Sequence, residues 1–435
     1  MRPRLMVLLL AGAFALRLAY GLASELFGPD ESQVFLIGLQ YFTTGAWPYL
    51  GPDVVYTHTQ LPGALQGLLI GGPMFLLPIP EAPYIVLNLI SFAALSLLAW
   101  YVRRRLPDVP WWCVWLWVFF SPWTLNYSTH IINTSYVLPG AVLFFVGAYE
   151  IVPALRVGAL SRRTALLCMG ASLGWTMQIQ MQFVLLVPMA AVALALAIGA
   201  QPRKAGPAIG WFAAGVAATG VTLLPTLVRL GPGVVTGLTR SNMAFDPHVL
   251  LDLPALVARF FSFATFELAR FVGANTDQRA GFLRDYPWAA PFAIVAAALG
   301  VVQTVVLIVA LWWRQPDRPD WPAVRVATLF QLALVAVAFT LSVKGPASHA
   351  FYVMLPGVLI YAFYCWAPIL RRPIGRRAAL VLFVSGAVAL TALGVRNFGL
   401  RSLYTDRALV ARAIAERNYH LLGERRPDLW KADGR

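Results

Sequence analysis

The chain has 435 residues, of which 59% are hydrophobic and only 12% are charged, whereas soluble domains carry roughly 25% charged residues. Its formal net charge of +15 comes almost entirely from arginine, because lysine occurs only at Lys204, Lys344 and Lys431. This composition excludes a soluble globular protein and a folded basic domain that binds nucleic acid, and it predicts an all-α membrane protein with many spans.

The first span is expected at residues 5–22, with its basic N-terminal end in the cytoplasm. No signal-peptide cleavage site is evident before Asp30, so the span is expected to stay in place. Residues 61–77 are also apolar, but a span there would put the cluster Arg103–Arg105 outside and invert every later basic cluster. We therefore expect this Pro- and Gly-rich stretch to be an interfacial helix in the outer leaflet.

Eleven spans satisfy the charge distribution, with every basic loop cluster on the cytoplasmic side. The ten after the first are expected near residues 84–102, 110–126, 137–152, 164–177, 182–199, 207–229, 288–313, 323–343, 350–368 and 378–398. The chain then divides into a membrane core (1–229) with a first outer loop (26–83), an outer amphipathic loop (230–287), C-terminal spans (288–398) and a tail (399–435) expected outside. Within the amphipathic loop, the Phe-rich stretch 253–272 is expected to be a helix lying on the membrane.

Two adjacent carboxylates, Asp30 and Glu31, lie where the first span leaves the membrane. An Asp at the centre of a membrane helix costs up to ~2.5–3.5 kcal/mol, so acidic groups near hydrocarbon indicate function. Apolar surroundings raise the proton affinity of a carboxylate, which suits a general base. The other interpretation is that they stabilise the start of the amphipathic helix expected at 34–42. One carboxylate can serve the helix while the other acts as the base.

Further polar residues stand in or beside the outer loops. Arg17 lies within the first span, where it either contacts a phosphate, supports the acidic loop or extends to the surface. His58 belongs to a polar run in the first loop. In the second outer loop, His130 and Asn133 suit sugar recognition; the alternatives are that His130 is structural and that Asn133 caps the next helix.

Two later turns add candidates. Gln180 lies between Gln178 and Gln182 in a hairpin turn, where these amides bind a phosphate, a sugar or one another. Lys344 is the only lysine in an expected outer loop between spans, and His349 and Tyr352 follow it in the same turn. A phosphate clamp and an ordinary interfacial lysine are both consistent with this pattern. The sequence contains no P-loop, zinc signature or nucleophile elbow, and no metal ligand set is predicted.

These features together resemble the GT-C membrane glycosyltransferases, most closely the group of protein O-mannosyltransferases and lipid A aminoarabinose transferases. The resemblance rests on the Arg of the first span, the Asp-Glu pair, the turn Trp47-Pro48 and the Pro-led interfacial helix. It covers residues 5 to about 200 and the turn 344–352. Two departures stand out: His130 and Asn133 replace an Arg and an Asp of the second loop, and Gln60-Leu61-Pro62 replaces a Lys-Pro-Pro turn.

The resemblance implies that a sugar moves from a polyprenyl-phosphate donor to a hydroxyl of a lipid, polysaccharide or protein acceptor. It further implies that Asp30, with Glu31 beside it, is the base, and that Lys344 and His349 hold the phosphate. The reaction is expected on the periplasmic or extracellular face of the inner (plasma) membrane, with inversion; a divalent cation stays an open question. The alternatives are a glycolipid transporter or flippase and an inactive GT-C scaffold.

Overall fold

The computed structural model describes residues 3–25, 28–54, 59–233, 240–273, 275–315, 317–343, 345–400 and 402–423. The helices, numbered in chain order, are α1 (Pro3–Ser24), α2 (Pro29–Thr44), α3 (Leu65–Leu76), α4 (Ala82–Arg105), α5 (Trp111–Phe120), α6 (Pro122–Asn126), α7 (Asn133–Ile151), α8 (Arg162–Met177), α9 (Phe183–Ala200), α10 (Ala205–Gly220), α11 (Leu224–Leu230), α12 (Leu253–Ser262), α13 (Ala269–Val272), α14 (Thr276–Asp285), α15 (Ala290–Ala310), α16 (Trp321–Thr340), α17 (Leu355–Leu370), α18 (Pro373–Leu400), α19 (Ser402–Ala415) and α20 (His420–Gly423). Short 3-10 helices cover Pro202–Lys204, Val221–Leu223, Pro247–Leu250 and Ser348–Met354. The strands β1 (Leu50–Val54) and β2 (Thr59–Pro62) form one antiparallel hairpin.

Nine helices of the described chain are long and apolar enough to cross a membrane, and each corresponds to an expected span. The other two expected spans differ. The stretch 110–126 is broken into α5 and α6 at Pro122, because a proline cannot donate its backbone N–H to the preceding turn and the Ser121 hydroxyl caps the new helix. Helix α8 has 16 residues, which is about 24 Å at 1.5 Å per residue, against a hydrocarbon core of about 30 Å.

Helix α3 agrees with the expectation that residues 61–77 do not form a span. It has 12 residues, or about 18 Å, which is too short to cross hydrocarbon. It packs tightly along α2, since a Cβ on Gly71 would lie only 2.2 Å from the carbonyl oxygen of Gly38. This close crossing joins the two helices of the first loop into one unit.

Ion pairs join the basic loops at one end of the bundle, which we call the basic end (residues 103–108, 314–320 and 371–377). Arg318 and Arg371 both donate to the carboxylate of Asp108. Burial alone would raise the pKa of Asp108, but the hydrogen bonds from the two arginines outweigh burial and hold it below its usual range. Three loops that the sequence assigns to the cytoplasm therefore meet, as the charge distribution predicts.

The Phe-rich stretch 253–272 differs from the sequence-based expectation of one helix that lies on the membrane. Helix α12 ends at Ser262, a turn follows, and α13 begins only at Ala269. Four of its phenylalanines are almost fully buried: Phe260, Phe261, Phe263 and Phe266. The indole of Trp117 donates to the carbonyl oxygen of Ala264 at 3.0 Å. The aromatic face is thus part of the protein core, and it does not lie on a membrane.

The C-terminal tail packs beside the first outer loop. Arg407 binds both carboxylate oxygens of Glu81, at 2.5 and 3.0 Å, just before α4 begins. The guanidinium of Arg417 lies 5.3 Å from the ring centre of Phe42 in α2. Val410 is completely buried. The described part of the tail therefore lies at the same end of the bundle as α2.

Candidate functional site

A cavity of about 310 Å³ opens at the end of the bundle opposite the basic end. Its walls come from the start of α2, from β1, from the starts of α7 and α9, and from two short segments around residues 242–243 and 338–350. The polar side chains that line it are Asp30, Gln33, Asp53, Asn133, Thr134, Gln180, Gln182, Asn242, Ser342 and His349. Its volume is at the small end of the range for ligand pockets, which suits a single sugar ring.

Asp30 lies at the start of α2, with its exposed side chain in the cavity. Gly28 is extended, and Pro29 supplies the first helical residue, whose fixed φ suits a helix start. The free N–H groups of a helix N-terminus favour a carboxylate. Glu31 does not line the cavity: its Oε2 lies 2.8 Å from where a Cβ on Gly28 would be. It therefore folds back over the helix start, as the third residue of a capping box does, and of the adjacent pair only Asp30 faces a ligand.

Asp53 is a second carboxylate of the cavity, and the sequence analysis missed it. It lies in β1, and its backbone N–H donates to Oε1 of Gln33 at 3.3 Å. Gln33 stands one helical turn after Asp30, so α2 holds the hairpin against its own first turn. A repeated tripeptide was the available signal, because Gly28-Pro29-Asp30 recurs as Gly51-Pro52-Asp53.

The turn between α8 and α9, which carries Gln178, Gln180 and Gln182 and is called the glutamine turn, supports another wall of the cavity. The Gln182 amide donates to Oε1 of Gln180 at 2.6 Å and to the carbonyl oxygen of His349 at 2.5 Å. Its own Oε1 accepts from the backbone N–H of Val353 at 2.6 Å. Gln182 is 3% exposed, so these bonds are shielded from water. The predicted glutamine turn and the predicted His349 turn are therefore one unit, and both line the cavity.

Gln178 has a structural role in this turn. Its amide donates to the carbonyl oxygens of Gly174 and Thr219, both at 2.9 Å. Gly63, at the end of the hairpin, has a φ of 121° and lies directly against it, since a Cβ there would be 2.5 Å from Cγ of Gln178. The hairpin is thus seated on the α8–α10 pair at a position that favours glycine.

The second outer loop is only partly at the cavity. Asn133 lines it and accepts from the N–H of Thr134 at 2.8 Å. His130 does not: its Nε2 is bonded to the hydroxyl of Ser24 at 2.7 Å, and its ring stacks on Tyr20. Burial lowers the pKa of His130 to about 4, so its imidazole is neutral at pH 7. The expectation that His130 contacts a sugar is not met by this position.

The side chains of Arg17 and Tyr352 also form hydrogen bonds within the protein. Arg17 is completely buried and donates to the carbonyl oxygens of Phe119 and Thr124, which flank the α5–α6 break. Neither extension to the surface nor a phosphate contact fits this position. Tyr352 is completely buried as well, and its hydroxyl donates to the carbonyl oxygen of Trp123 at 3.3 Å. Both side chains stabilise the fold behind the cavity. We therefore do not keep the prediction that they contact a substrate.

Two other expected site residues, His58 and Lys344, lie outside the described residues. Ser342, two positions before Lys344, lines the cavity. The turn after Lys344 is held by two guanidiniums: Arg259 donates to the carbonyl oxygen of Pro346 at 2.7 Å, and Arg270 donates to the Ser348 hydroxyl at 2.5 Å. Two guanidiniums therefore lie behind this wall of the cavity, and the carboxylate of Glu267 is close to the guanidinium of Arg270.

The described residues do not contain a group of three or more His, Cys, Asp or Glu side chains that could hold a metal ion. Asp30 and Asp53 are the only carboxylates among the described lining residues. Because Mg²⁺ is usually bound by one or two carboxylates together with substrate phosphates and waters, these two carboxylates neither require nor exclude a cation. No chemical step is therefore assigned to a metal.

The fold is similar to that of one solved protein. The crystal structure of ArnT from Cupriavidus metallidurans bound to undecaprenyl phosphate matches this chain with a TM-score of 0.55. The match covers 92% of this chain and 77% of that one, at 13% sequence identity. No protein-family model and no curated protein sequence matches the chain. The structural match confirms the all-α polytopic membrane fold that the sequence predicts.

Proposed function

We propose that this multi-pass membrane protein is a glycosyltransferase that moves a sugar from a polyprenyl-phosphate donor to an acceptor hydroxyl. One observation carries the proposal: Asp30 opens into a sugar-sized cavity in a chain that has the fold of a protein solved with undecaprenyl phosphate. The acceptor is a lipid, a polysaccharide or a protein. By the distribution of arginine, the basic end faces the cytoplasm and the cavity faces the periplasm or the exterior of the plasma membrane.

Asp30 is the proposed general base. It takes the proton of the acceptor hydroxyl while the hydroxyl oxygen bonds to the anomeric carbon of the sugar. The bond between that carbon and the phosphate oxygen breaks, and its electron pair leaves with the phosphate. A positioned base contributes roughly 10²–10⁴ in rate. Direct displacement in one step inverts the anomeric centre.

The phosphate is expected at the wall formed by residues 338–350. Lys344 and His349 are its proposed contacts, as the resemblance implies. Arg259 and Arg270 support this role because they fix the intervening turn through Pro346 and Ser348. A leaving phosphate carries its own charge, so cations near this wall stabilise the transition state as well as the bound donor.

A transporter is less consistent with the basic end. Arg105 is buried there and donates to Asp320 at 2.9 Å, to the hydroxyls of Tyr101 and Tyr364, and to the carbonyl oxygen of Leu155. Alternating access requires this end to open. Opening it would break the hydrogen bonds of the buried Arg105 guanidinium, including the one to the half-buried Asp320, and each hydrogen bond to a charged group contributes about 1.5–3 kcal/mol. A cavity open at one end only suits a transferase whose donor and acceptor arrive from the same side.

The test is transfer by the purified full-length chain, with polyprenyl-phosphate sugars as donors and mass spectrometry of cell-envelope glycans, with and without the chain, to identify the acceptor. Asp30→Asn should lower turnover roughly 10²–10⁴-fold while undecaprenyl phosphate still binds. Glu31→Gln should have a much smaller effect, since Glu31 serves the helix start.

Asp277→Asn is the matched control, because Asp277 is an exposed carboxylate in the first turn of α14, away from the cavity. Full transfer by Asp30→Asn would exclude Asp30 as the base. A wild-type chain that binds undecaprenyl phosphate but transfers no sugar would favour the inactive scaffold instead.

A further inference from the structure

The two carboxylates that line the cavity lie on the same wall. Among the lining residues that the structure describes, the ionisable side chains are Asp30, Asp53 and His349. The other polar side chains are carboxamides and hydroxyls, which carry no charge. Both carboxylates come from the first outer loop, whereas His349 and the arginine-held turn belong to the 338–350 wall. The cavity therefore has an acidic wall and a separate wall with two guanidiniums behind it.

Asp53 is a fixed part of the acidic wall. Gln33 holds its backbone N–H, and β1 pairs with β2. The hairpin is fastened at two further points. The N–H of Gly63 donates to the carbonyl oxygen of Tyr49 at 3.0 Å, and the Asn242 amide donates to the hydroxyl of Thr59 at 3.4 Å. Asp53 is half-buried and lines the cavity, so its carboxylate is available to a ligand there.

This polarity orients a donor that has a phosphate at one end and a sugar at the other. The phosphate belongs at the 338–350 wall, and the sugar then lies beside Asp30 and Asp53. A sugar with a carboxylate of its own would bring a third negative charge beside Asp30 and Asp53, and like charges at short range repel. A neutral or amino-bearing sugar meets hydrogen-bond acceptors there and no repulsion.

Resting on the proposed function, we propose that Asp53 is a specificity-determining residue that restricts the donor to sugars without a negative charge. It acts by repelling acidic sugars, a form of discrimination that needs no additional contact with the accepted one. The role cannot be tested at Asp30, because removing the charge of Asp30 also removes the proposed base. Asp53 is thus the residue at which sugar selection and chemistry can be separated.

The experiment compares binding of two donors to the full-length chain in detergent, namely a polyprenyl phosphate that carries a neutral hexose and one that carries a hexuronic acid. The wild-type chain should bind the neutral donor at least tenfold more tightly. Asp53→Asn preserves shape and the backbone bond to Gln33, and it should reduce this ratio to under threefold, mainly by tighter binding of the acidic donor. Asp53→Glu, which keeps the charge, should retain most of the preference, and Asp277→Asn should retain all of it.

Equal binding of the two donors by the wild-type chain would overturn the inference, as would an unchanged ratio in Asp53→Asn. Transfer of a neutral sugar together with equal binding would leave the proposed function standing and remove only the role of Asp53. If neither donor binds and no sugar is transferred, the proposed function fails, and this inference fails with it.

Discussion

Gln182 is the residue whose replacement tests most directly how the cavity is held together. Its side chain joins three segments through hydrogen bonds to Gln180, His349 and Val353. We consider Gln182→Leu, which keeps much of the volume and removes every polar atom of the amide. The backbone N–H of Val353 then loses its acceptor in a fully buried position, and the carbonyl oxygen of His349 loses a donor.

The magnitude follows from these three bonds. A buried backbone N–H without a partner costs about 1–3 kcal/mol, and each of the two other hydrogen bonds contributes about 0.5–1.5 kcal/mol. Gln182→Leu should therefore lower the free energy of unfolding by about 2–6 kcal/mol. Because the His349 turn loses its anchor, binding of undecaprenyl phosphate should weaken as well, by roughly tenfold or more.

The assay is thermal unfolding in detergent, followed by titration with undecaprenyl phosphate at a temperature where both proteins are folded. Gln201→Leu is the control, because Gln201 is exposed near the basic end and bonds only to Arg162 among the described contacts. It should change stability by less than about 0.5 kcal/mol. If Gln182→Leu unfolds and binds lipid like the wild type, the amide does not hold the two turns together, and the account of the cavity wall is wrong.

Three further predictions concern other positions. Arg105→Met should lower the free energy of unfolding by about 1.5–3 kcal/mol because it removes the buried guanidinium that bonds to the half-buried Asp320, to Tyr101 and to Tyr364, whereas Arg104→Met, on the exposed face, should have little effect in the same chemical denaturation. Gly63→Ala places a Cβ at a positive φ and against α8, so it should reduce both stability and lipid binding, while Gly72→Ala, with open space around it, should be neutral or slightly stabilising. The folded-state pKa of Asp108 lies below its ordinary value of 3.8, so its stabilising contribution is complete at neutral pH and is lost as the pH falls below about 4; Asp108→Asn should remove that acid-dependent part of the unfolding curve.

Charge patterns predicted which loops lie together at one end of the bundle, because moving an arginine across hydrocarbon is costly at every position. The clusters around Arg103 and Arg371 could be assigned to one side without any knowledge of packing, and Asp108 indeed joins two of these loops. Asp30 could be singled out for the same reason, since a carboxylate beside an apolar span has to be explained. Glu31 could not be separated from it, because only the turn of the helix decides which carboxylate faces the cavity.

The failures have a common cause, which is that burial in protein and burial in lipid select the same residues. The phenylalanines of 253–272 form an apolar helical face, and nothing local distinguishes a membrane from a protein core as its partner. Arg17 was ambiguous because its partners are carbonyl groups, which every residue carries. Asp53 depends on the pairing of β1 with β2 and on Gln33, twenty positions earlier, and such pairing cannot be read from composition.

The hairpin at the cavity end and the loops at the basic end are held by different kinds of bond, and this difference predicts which of them opens more often. The basic end depends on buried or half-buried ion pairs, such as that of Arg105 with Asp320, whereas the described bonds of the hairpin are neutral, such as that of Asn242 with Thr59. A neutral hydrogen bond contributes about 0.5–1.5 kcal/mol, so the hairpin should open far more often than the basic end. Amide hydrogen exchange should therefore be faster in residues 50–54 and 59–62 than in residues 101–106, and undecaprenyl phosphate should slow it only at the hairpin. Equal protection at both ends, or a lipid effect at the basic end, would contradict entry of the donor from the cavity side.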